Sequence, residues 1–274
     1  MIELLIANWP LLLALGAAGA VAGLAAGLFG IGGGAIIVPV LYFLLSGMGY
    51  ENSAMHVAVS TSLATIILTS GRSVMAHNKH DAVDWSVIKG WGPWIVLGSL
   101  LGMSLSGMLS KNALLGIFGS IGMILAAQLF FGRPNWKLAE DLPRGLPRAG
   151  LGGAVGGLSA LMGIGGGTFG VSLMTLCGRP IHQAVATASG WGIMIGVPAA
   201  IAAVFVGWGR TDLPPFSLGH VNLAAFVMIS IFTVTMAPVG AKLAHKLDAV
   251  RLRKMFGVLL AVVAVRMLYK ALTS

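Results

Sequence analysis

Between Glu3 and Glu51, between Arg148 and Arg179, and between Arg179 and Arg210, this chain contains no Asp, Glu, Lys or Arg. In a chain of 274 residues, uncharged stretches of that length and number exceed what one globular core encloses. They match bilayer spans of about 20 residues. Charged residues make up 9 % of the chain, against about 25 % in soluble domains. No segment alternates apolar and polar residues as the strands of a membrane barrel do. The expected fold class is an all-α polytopic membrane protein.

The net charge of +9 does not point to nucleic acid, because the basic residues form neither a stripe nor a tail. They fall in short loops between apolar segments, where Lys and Arg set orientation. Cys177 is the one cysteine, so no intramolecular disulfide forms, and it reads as a small buried hydrophobe. A cleaved signal peptide needs a basic start, yet the first Lys or Arg is Arg72. The amino terminus is therefore expected to belong to the mature protein.

The chain also says one thing twice. Gly30-Ile31-Gly32-Gly33-Gly34 returns as Gly163-Ile164-Gly165-Gly166-Gly167. Val59-Ser60-Thr61-Ser62 is answered by Ala186-Thr187-Ala188-Ser189. Gly102, Leu105, Leu109, Phe118 and Gly119 are answered, at a constant offset of 138, by Gly240, Leu243, Leu247, Phe256 and Gly257. Duplicated units broken by glycine within membrane segments are the pattern of secondary transporters.

The first repeat covers about 4–132, with apolar segments at 4–30 and 34–47 around the glycine run, then at about 53–76, 86–109 and 112–132. A polar linker, 133–148, carries Pro134, Pro143 and Pro147. The second repeat, about 149–274, has segments at 149–163, 167–178, 181–208, 217–241 and 252–271. All of 1–274 is expected to form one transport domain, since either half alone would leave its broken backbone unpartnered in lipid.

Orientation follows from Lys and Arg. Arg72, Lys79 and Lys89, then Arg133, Lys137, Arg144 and Arg148, then Lys242, Lys246, Arg251, Arg253 and Lys254 form the three basic clusters. All fall on the cytoplasmic side if each glycine-broken region is a hairpin that goes in and returns. Each repeat then has a glycine-broken hairpin plus about three transmembrane helices, and the two repeats are inverted. Arg266 and Lys270 then lie outside, against the rule.

Gly30-Ile31-Gly32-Gly33-Gly34-Ala35 formally satisfies a dinucleotide fingerprint, but that pattern works only after a strand, and both flanks here are apolar spans. Glycines four apart (Gly19, Gly23, Gly27; Gly152, Gly156) suit close helix packing. Three consecutive glycines instead mark a break, each weakening a helix by about 1 kcal/mol relative to Ala. A break at membrane depth persists only where it lines a cavity or is buried in protein. It exposes amides and the positive end of a helix dipole, an anion site without a formal charge. The candidate binding residues are Gly32, Gly33, Gly34, Ala35, Gly165, Gly166, Gly167 and Thr168, with Ala35 and Thr168 expected to begin the returning helices.

Ser60, Thr61, Ser62, Thr187 and Ser189, beside Trp191, form a second polar element. Hydroxyls in membrane helices often bond back to their own carbonyls; the repeat correspondence raises the other reading, that they line the pathway. His56 and His182 begin these segments, as interfacial residues or as carriers of a coupling proton. Arg72 ends one segment and Arg179 precedes the other, as loop charges or as attractors of an anion. Gln128 and Arg266 occupy matching positions in the last span of each half, where an ionisable residue is a functional candidate.

The glycine run followed by Ile36-Ile37-Val38-Pro39-Val40-Leu41, the second run, the His56…Ser60-Thr61-Ser62 block, and Asp81-Ala82-Val83-Asp84-Trp85 with its counterpart from Asp212-Leu213-Pro214-Pro215 to Asn222 resemble the TauE/SafE family of sulfite and organosulfonate exporters. The resemblance spans nearly the whole chain. It implies export of a small sulfur-containing anion, such as sulfite or sulfoacetate, across the bacterial inner membrane; whether protons or sodium drive that export is left open. The second run departs from the pattern in having Ser172 where the first has Pro39, so the halves need not contribute equally. An anion channel of the same architecture, or a carrier of another small organic anion, is the alternative. No enzyme activity, cofactor or metal is expected, because the spans offer neither clustered carboxylates nor zinc-type His/Cys spacing.

Overall fold

The computed structural model describes residues 9–30, 32–131, 138–244 and 246–273. Ile31 of the first glycine run, and Arg133 and Lys137 of the linker, lie outside them. Ten helices form among the described residues. They are α1 (Trp9–Phe29), α2 (Gly34–Gly47), α3 (Ala54–Asn78), α4 (Trp85–Ser106) and α5 (Lys111–Phe131), then α6 (Leu146–Met162), α7 (Gly167–Leu176), α8 (Ile181–Val206), α9 (Leu223–Ala244) and α10 (Ala249–Thr273). Five are long and apolar enough to cross a membrane: α3, α5, α8, α9 and, from Lys254, α10. The protein is a multi-pass membrane protein.

Several boundaries differ from the sequence expectation, among them the start of α6 at Leu146, inside the expected linker. The segment expected from 217 begins with a two-residue antiparallel ladder, β1 (Ser217–Leu218) on β2 (Val221–Asn222), and its helix starts only at Leu223. The short helices start at Gly34 and Gly167, one residue before Ala35 and Thr168. Arg72 does not end its segment: α3 runs on to Asn78, and Arg72 projects from its exposed side.

Helix pairs form mainly between the halves. α1 packs on α9 and α6 on α4; α5 lies against α10 and α3 against α8. The four-residue glycine spacing explains how close these pairs come. A Cβ at Gly23 would sit 2.7 Å from Thr233 Cα in α9, and one at Gly156 would sit 2.9 Å from Ser99 N in α4. Without side chains at these positions the backbones meet, where dispersion rather than the hydrophobic effect holds membrane helices together.

The same helices are capped in matching ways. Asp84 caps α4, its Oδ1 accepting from the amides of Ser86 (3.1 Å) and Val87 (3.2 Å). Asn222 caps α9, its Oδ1 accepting from the Ala225 amide at 2.9 Å. Each cap then gives its own backbone N–H to the opposite half: Asp84 N donates to Thr187 Oγ1 at 3.0 Å, and Asn222 N donates to Thr61 Oγ1 at 2.9 Å. Thr61 and Thr187 are therefore equivalent, which makes His56 equivalent to His182. The pairing of Val59-Ser60-Thr61-Ser62 with Ala186–Ser189 drawn from sequence is thus one residue out of register. Glycine contacts agree: a Cβ at Gly163 would meet Val59 O, and one at Gly30 would meet the carbonyl of Val185, the residue equivalent to Val59 in the corrected register.

Ion pairs locate the two ends of the bundle. Glu51, in the α2–α3 connection, takes Lys111 at the start of α5 (3.2 Å) and Lys270 near the end of α10 (3.5 Å). At the other end, Arg179 before α8 reaches Asp84 before α4 (3.4 Å) and Asp141 of the linker (3.0 Å). The amide of Leu138 donates to Leu176 O at 2.8 Å, tying the linker to the end of α7.

Candidate functional site

Both glycine runs break their helices. α1 ends at Phe29 and α2 begins at Gly34; α6 ends at Met162 and α7 begins at Gly167. The residues that start the short helices, Gly33 (φ +84°) and Gly166 (φ +70°), are left-handed, a conformation that glycine adopts without steric cost. Neither supplies a side chain to cap its helix. No side-chain oxygen caps the first amides of α2 and α7, which a helix does not satisfy internally; Gly33 O accepts from Ile36 N at 3.0 Å.

The breaks lie against each other. A Cβ at Gly34 would fall 2.9 Å from Ile164 Cα and collide with the carbonyl of Gly163. Ser62 of α3 donates to that same Gly163 carbonyl at 2.8 Å. Gly32, Gly33, Gly34, Gly165, Gly166 and Gly167 are all buried, as are Ala35 and Thr168. Part of the glycine requirement is therefore packing, which the sequence reading attributed only to other glycines.

Ser70 extends this centre, and the sequence reading missed it. A Cβ at Gly32 would lie 3.3 Å from Ser70 Oγ, and the same oxygen crowds Gly192, whose own Cβ would lie 3.2 Å from Gly165 O. Ser70 thus stands where the two breaks and α8 come together. Among the described residues its hydroxyl has no partner, and neither have Thr168 Oγ1, Ser159 Oγ, Ser172 Oγ or Trp191 Nε1, all of them buried. Ser159 is in the last turn of α6, Thr168 and Ser172 are in α7, and the Trp191 ring packs on Gly170, whose Cβ would lie 2.8 Å from it. Buried polar groups are normally paired, so a set of orphaned donors around the second break is what a hydrogen-bond acceptor ligand would satisfy. At the first break Ala35 and Pro39 stand where Thr168 and Ser172 do, so the two breaks are not chemically equal. Both signs of this were in the sequence: Thr168 in place of Ala35 and Ser172 in place of Pro39.

The remaining candidates divide. Thr65 donates back to Thr61 O (2.9 Å) and Ser189 to Val185 O (2.9 Å), while Ser189 also meets Ser73 of α3 at 3.2 Å. Thr61 and Thr187 hold caps, as described, and Ser60 is buried. His56 lies away from the breaks, its Nε2 3.1 Å from the carbonyls of both Ser106 and Leu109. Its ring centroid is 5.3 Å from that of His220 in the β1–β2 hairpin, a partner that sequence did not suggest. His182 is half-buried at the start of α8, Gln128 is half-buried, and Arg266 is exposed over the Phe43 ring, 5.0 Å from its centroid.

Arg179 joins two carboxylates at the linker end. Burial opposes ionisation of Asp84, yet the Ser86 hydroxyl, the Val87 amide and Arg179 outweigh it and hold the carboxyl below the usual range. The Leu142 amide and then Arg179 do the same for Asp141. Among the described residues no group of three or more His, Cys, Asp or Glu could hold a metal ion.

A multi-pass bundle of helices with two facing backbone breaks is the construction used by membrane transporters. The chain belongs to the sulfite exporter TauE/SafE family, whose profile matches residues 15–267. A relative in Haemophilus influenzae, described as a probable membrane transporter protein, is 33% identical over 92% of this chain and 96% of its own. A Bacillus subtilis relative, described as probable membrane transporter protein YunE, is 30% identical over 86% of this chain and 87% of its own. One in Methanocaldococcus jannaschii, again a probable membrane transporter protein, is 26% identical over 91% and 92%. No solved structure matches the chain.

Proposed function

We propose that this chain is a secondary transporter that exports a small sulfur-containing anion, sulfite or an organosulfonate such as sulfoacetate, across the bacterial inner membrane. The anion is held near the midplane between the breaks, by the amides that open α2 and α7 and by Thr168, Ser70, Ser159 and Trp191. The observation that carries this reading is the set of orphaned donors around Gly165–Gly167. A sulfonate offers three acceptor oxygens and one charge to such a site. Amides and hydroxyls hold it less tightly than a buried guanidinium would, which suits a carrier that must release its cargo.

The halves are proposed to be inverted repeats. In support, Glu51 binds both the start of α5 and the end of α10, so two helices equivalent by sequence run in opposite directions. Protein reconstituted in liposomes should take up radiolabelled sulfite or sulfoacetate with saturation and counterflow. Unsaturable flux would favour the channel alternative, and no flux with any sulfur oxyanion would overturn the proposal.

A further inference from the structure

A second anion site is suggested at the linker end of the bundle. A cavity of about 120 Å³ lies there, lined among others by Ser86 and Trp91 of α4, Asp141 and Arg144 of the linker, Arg148 in the first turn of α6, and Arg179. At about 30 Å³ per water, it has room for one small oxyanion. Its charges do not cancel. Arg144, Arg148 and Arg179 bring three guanidinium groups, whereas Asp84 and Asp141 bring two carboxylates. Asp141 is shared between Arg179 (3.0 Å) and Arg144 (3.5 Å), and Arg179 also takes Asp84.

Among the described residues of this cavity Arg148 is the cation left over. Its guanidinium lies against the bare backbone of Gly90, whose Cβ would sit 3.1 Å from Nη1, and its Nε is buried with no partner among the described residues. A half-buried guanidinium without a carboxylate partner is costly; one small anion in the cavity would balance its charge. Trp91 also connects this cavity to the breaks: its ring stacks on Trp191 at 5.5 Å between centroids and 25° between planes.

We propose that this cavity is a loading site for a small oxyanion monoanion such as a sulfonate, with Arg148 as its principal ligand and Arg144 and Arg179 completing it. The Trp91–Trp191 stack then separates it from the central site. This assignment rests on the transport reading above and adds where the anion is taken up. A lipid phosphate has the same recognition chemistry, and the test separates the two sources.

The full chain in phosphatidylcholine nanodiscs is titrated with radiolabelled methanesulfonate. Wild type should bind two equivalents. Arg148→Gln should weaken one of them by roughly tenfold or more, the scale of a lost hydrogen bond to a charged group, while Arg148→Lys keeps most of the binding and Lys242→Gln, exposed in the last turn of α9, changes nothing. Folding of each variant is checked by circular dichroism and gel filtration. If Arg148→Gln binds two equivalents with unchanged affinity, the loading site is wrong. If phosphatidylglycerol in the nanodisc abolishes the Arg148-dependent equivalent, the occupant is a lipid headgroup and the proposal also falls. Thr168→Val addresses the other equivalent, so failure of the central site is read separately from failure of this one.

Discussion

Thr168 occupies the first turn of α7, fully buried, with a hydroxyl that no group among the described residues satisfies. Replacing it with valine removes an orphaned polar atom at nearly constant volume, so the folded state should lose nothing and melt at the same or a slightly higher temperature. Binding of sulfite or a sulfonate should weaken by about 1 kcal/mol, near fivefold, the typical worth of one hydrogen bond. Equal losses of binding and melting temperature would instead make Thr168 structural. Gly34→Val is no such test, because its side chain would strike the Gly163 backbone and the protein should fail to fold. His220, in the hairpin outside the spanning helices, supports a separate expectation. Burial first, then His56 and Arg210, pushes its pKa down to about 4, with Asp212 opposing. An unfolded histidine titrates near 6.5. Above that pH neither state binds the proton and stability is complete. Between about 6.5 and 4 the unfolded chain takes a proton that the folded one refuses, and stability falls by about 1.4 kcal/mol per pH unit. The melting temperature of wild type in detergent should drop across that window more steeply than that of His220→Phe; parallel profiles would remove His220 as the cause.

The caps of α4 and α9 are the elements whose loss should be most evenly felt. Asp84→Ala and Asn222→Ala should each cost about 1 kcal/mol, the usual worth of an N-cap. Thr61→Val and Thr187→Val should cost about 1–3 kcal/mol, since each leaves a cap amide unpaired. Thermal shifts in detergent check all four, and a difference between the members of either pair would show that the two halves use these crossings unequally. These elements also show how far the sequence could be read. The breaks were legible because three consecutive glycines conflict with helix propensity, and the duplication followed from the offset of 138 residues. The register of α3 against α8 was legible too, though drawn one residue off: His56-Val57-Ala58-Val59-Ser60-Thr61 matches His182-Gln183-Ala184-Val185-Ala186-Thr187, the register that the cap partners Asn222 for Thr61 and Asp84 for Thr187 impose. Ser70 and His220 belong to no motif, and tertiary packing alone gives them their neighbours. Arg148 looked like an ordinary loop charge because a sequence does not show which cation is left unpaired.

Across the whole molecule, the basic loops make the orientation testable. Single cysteines placed in 138–148 and in 242–254 of a Cys177→Ser background should label from the cytoplasmic side, and one at Thr273 from outside. External labelling of the 242–254 loop would overturn the inverted arrangement. The partners of α1, α4, α6 and α9 have a further consequence, since each packs mainly across the repeats, and the α4 and α9 caps are fastened by threonines of the opposite half. The expectation is that the halves behave as the two subunits of an obligate heterodimer that share one peptide chain. Expressed as two separate polypeptides divided between Gly132 and Leu138, the halves should each be unstable alone, yet find one another in the membrane and transport together.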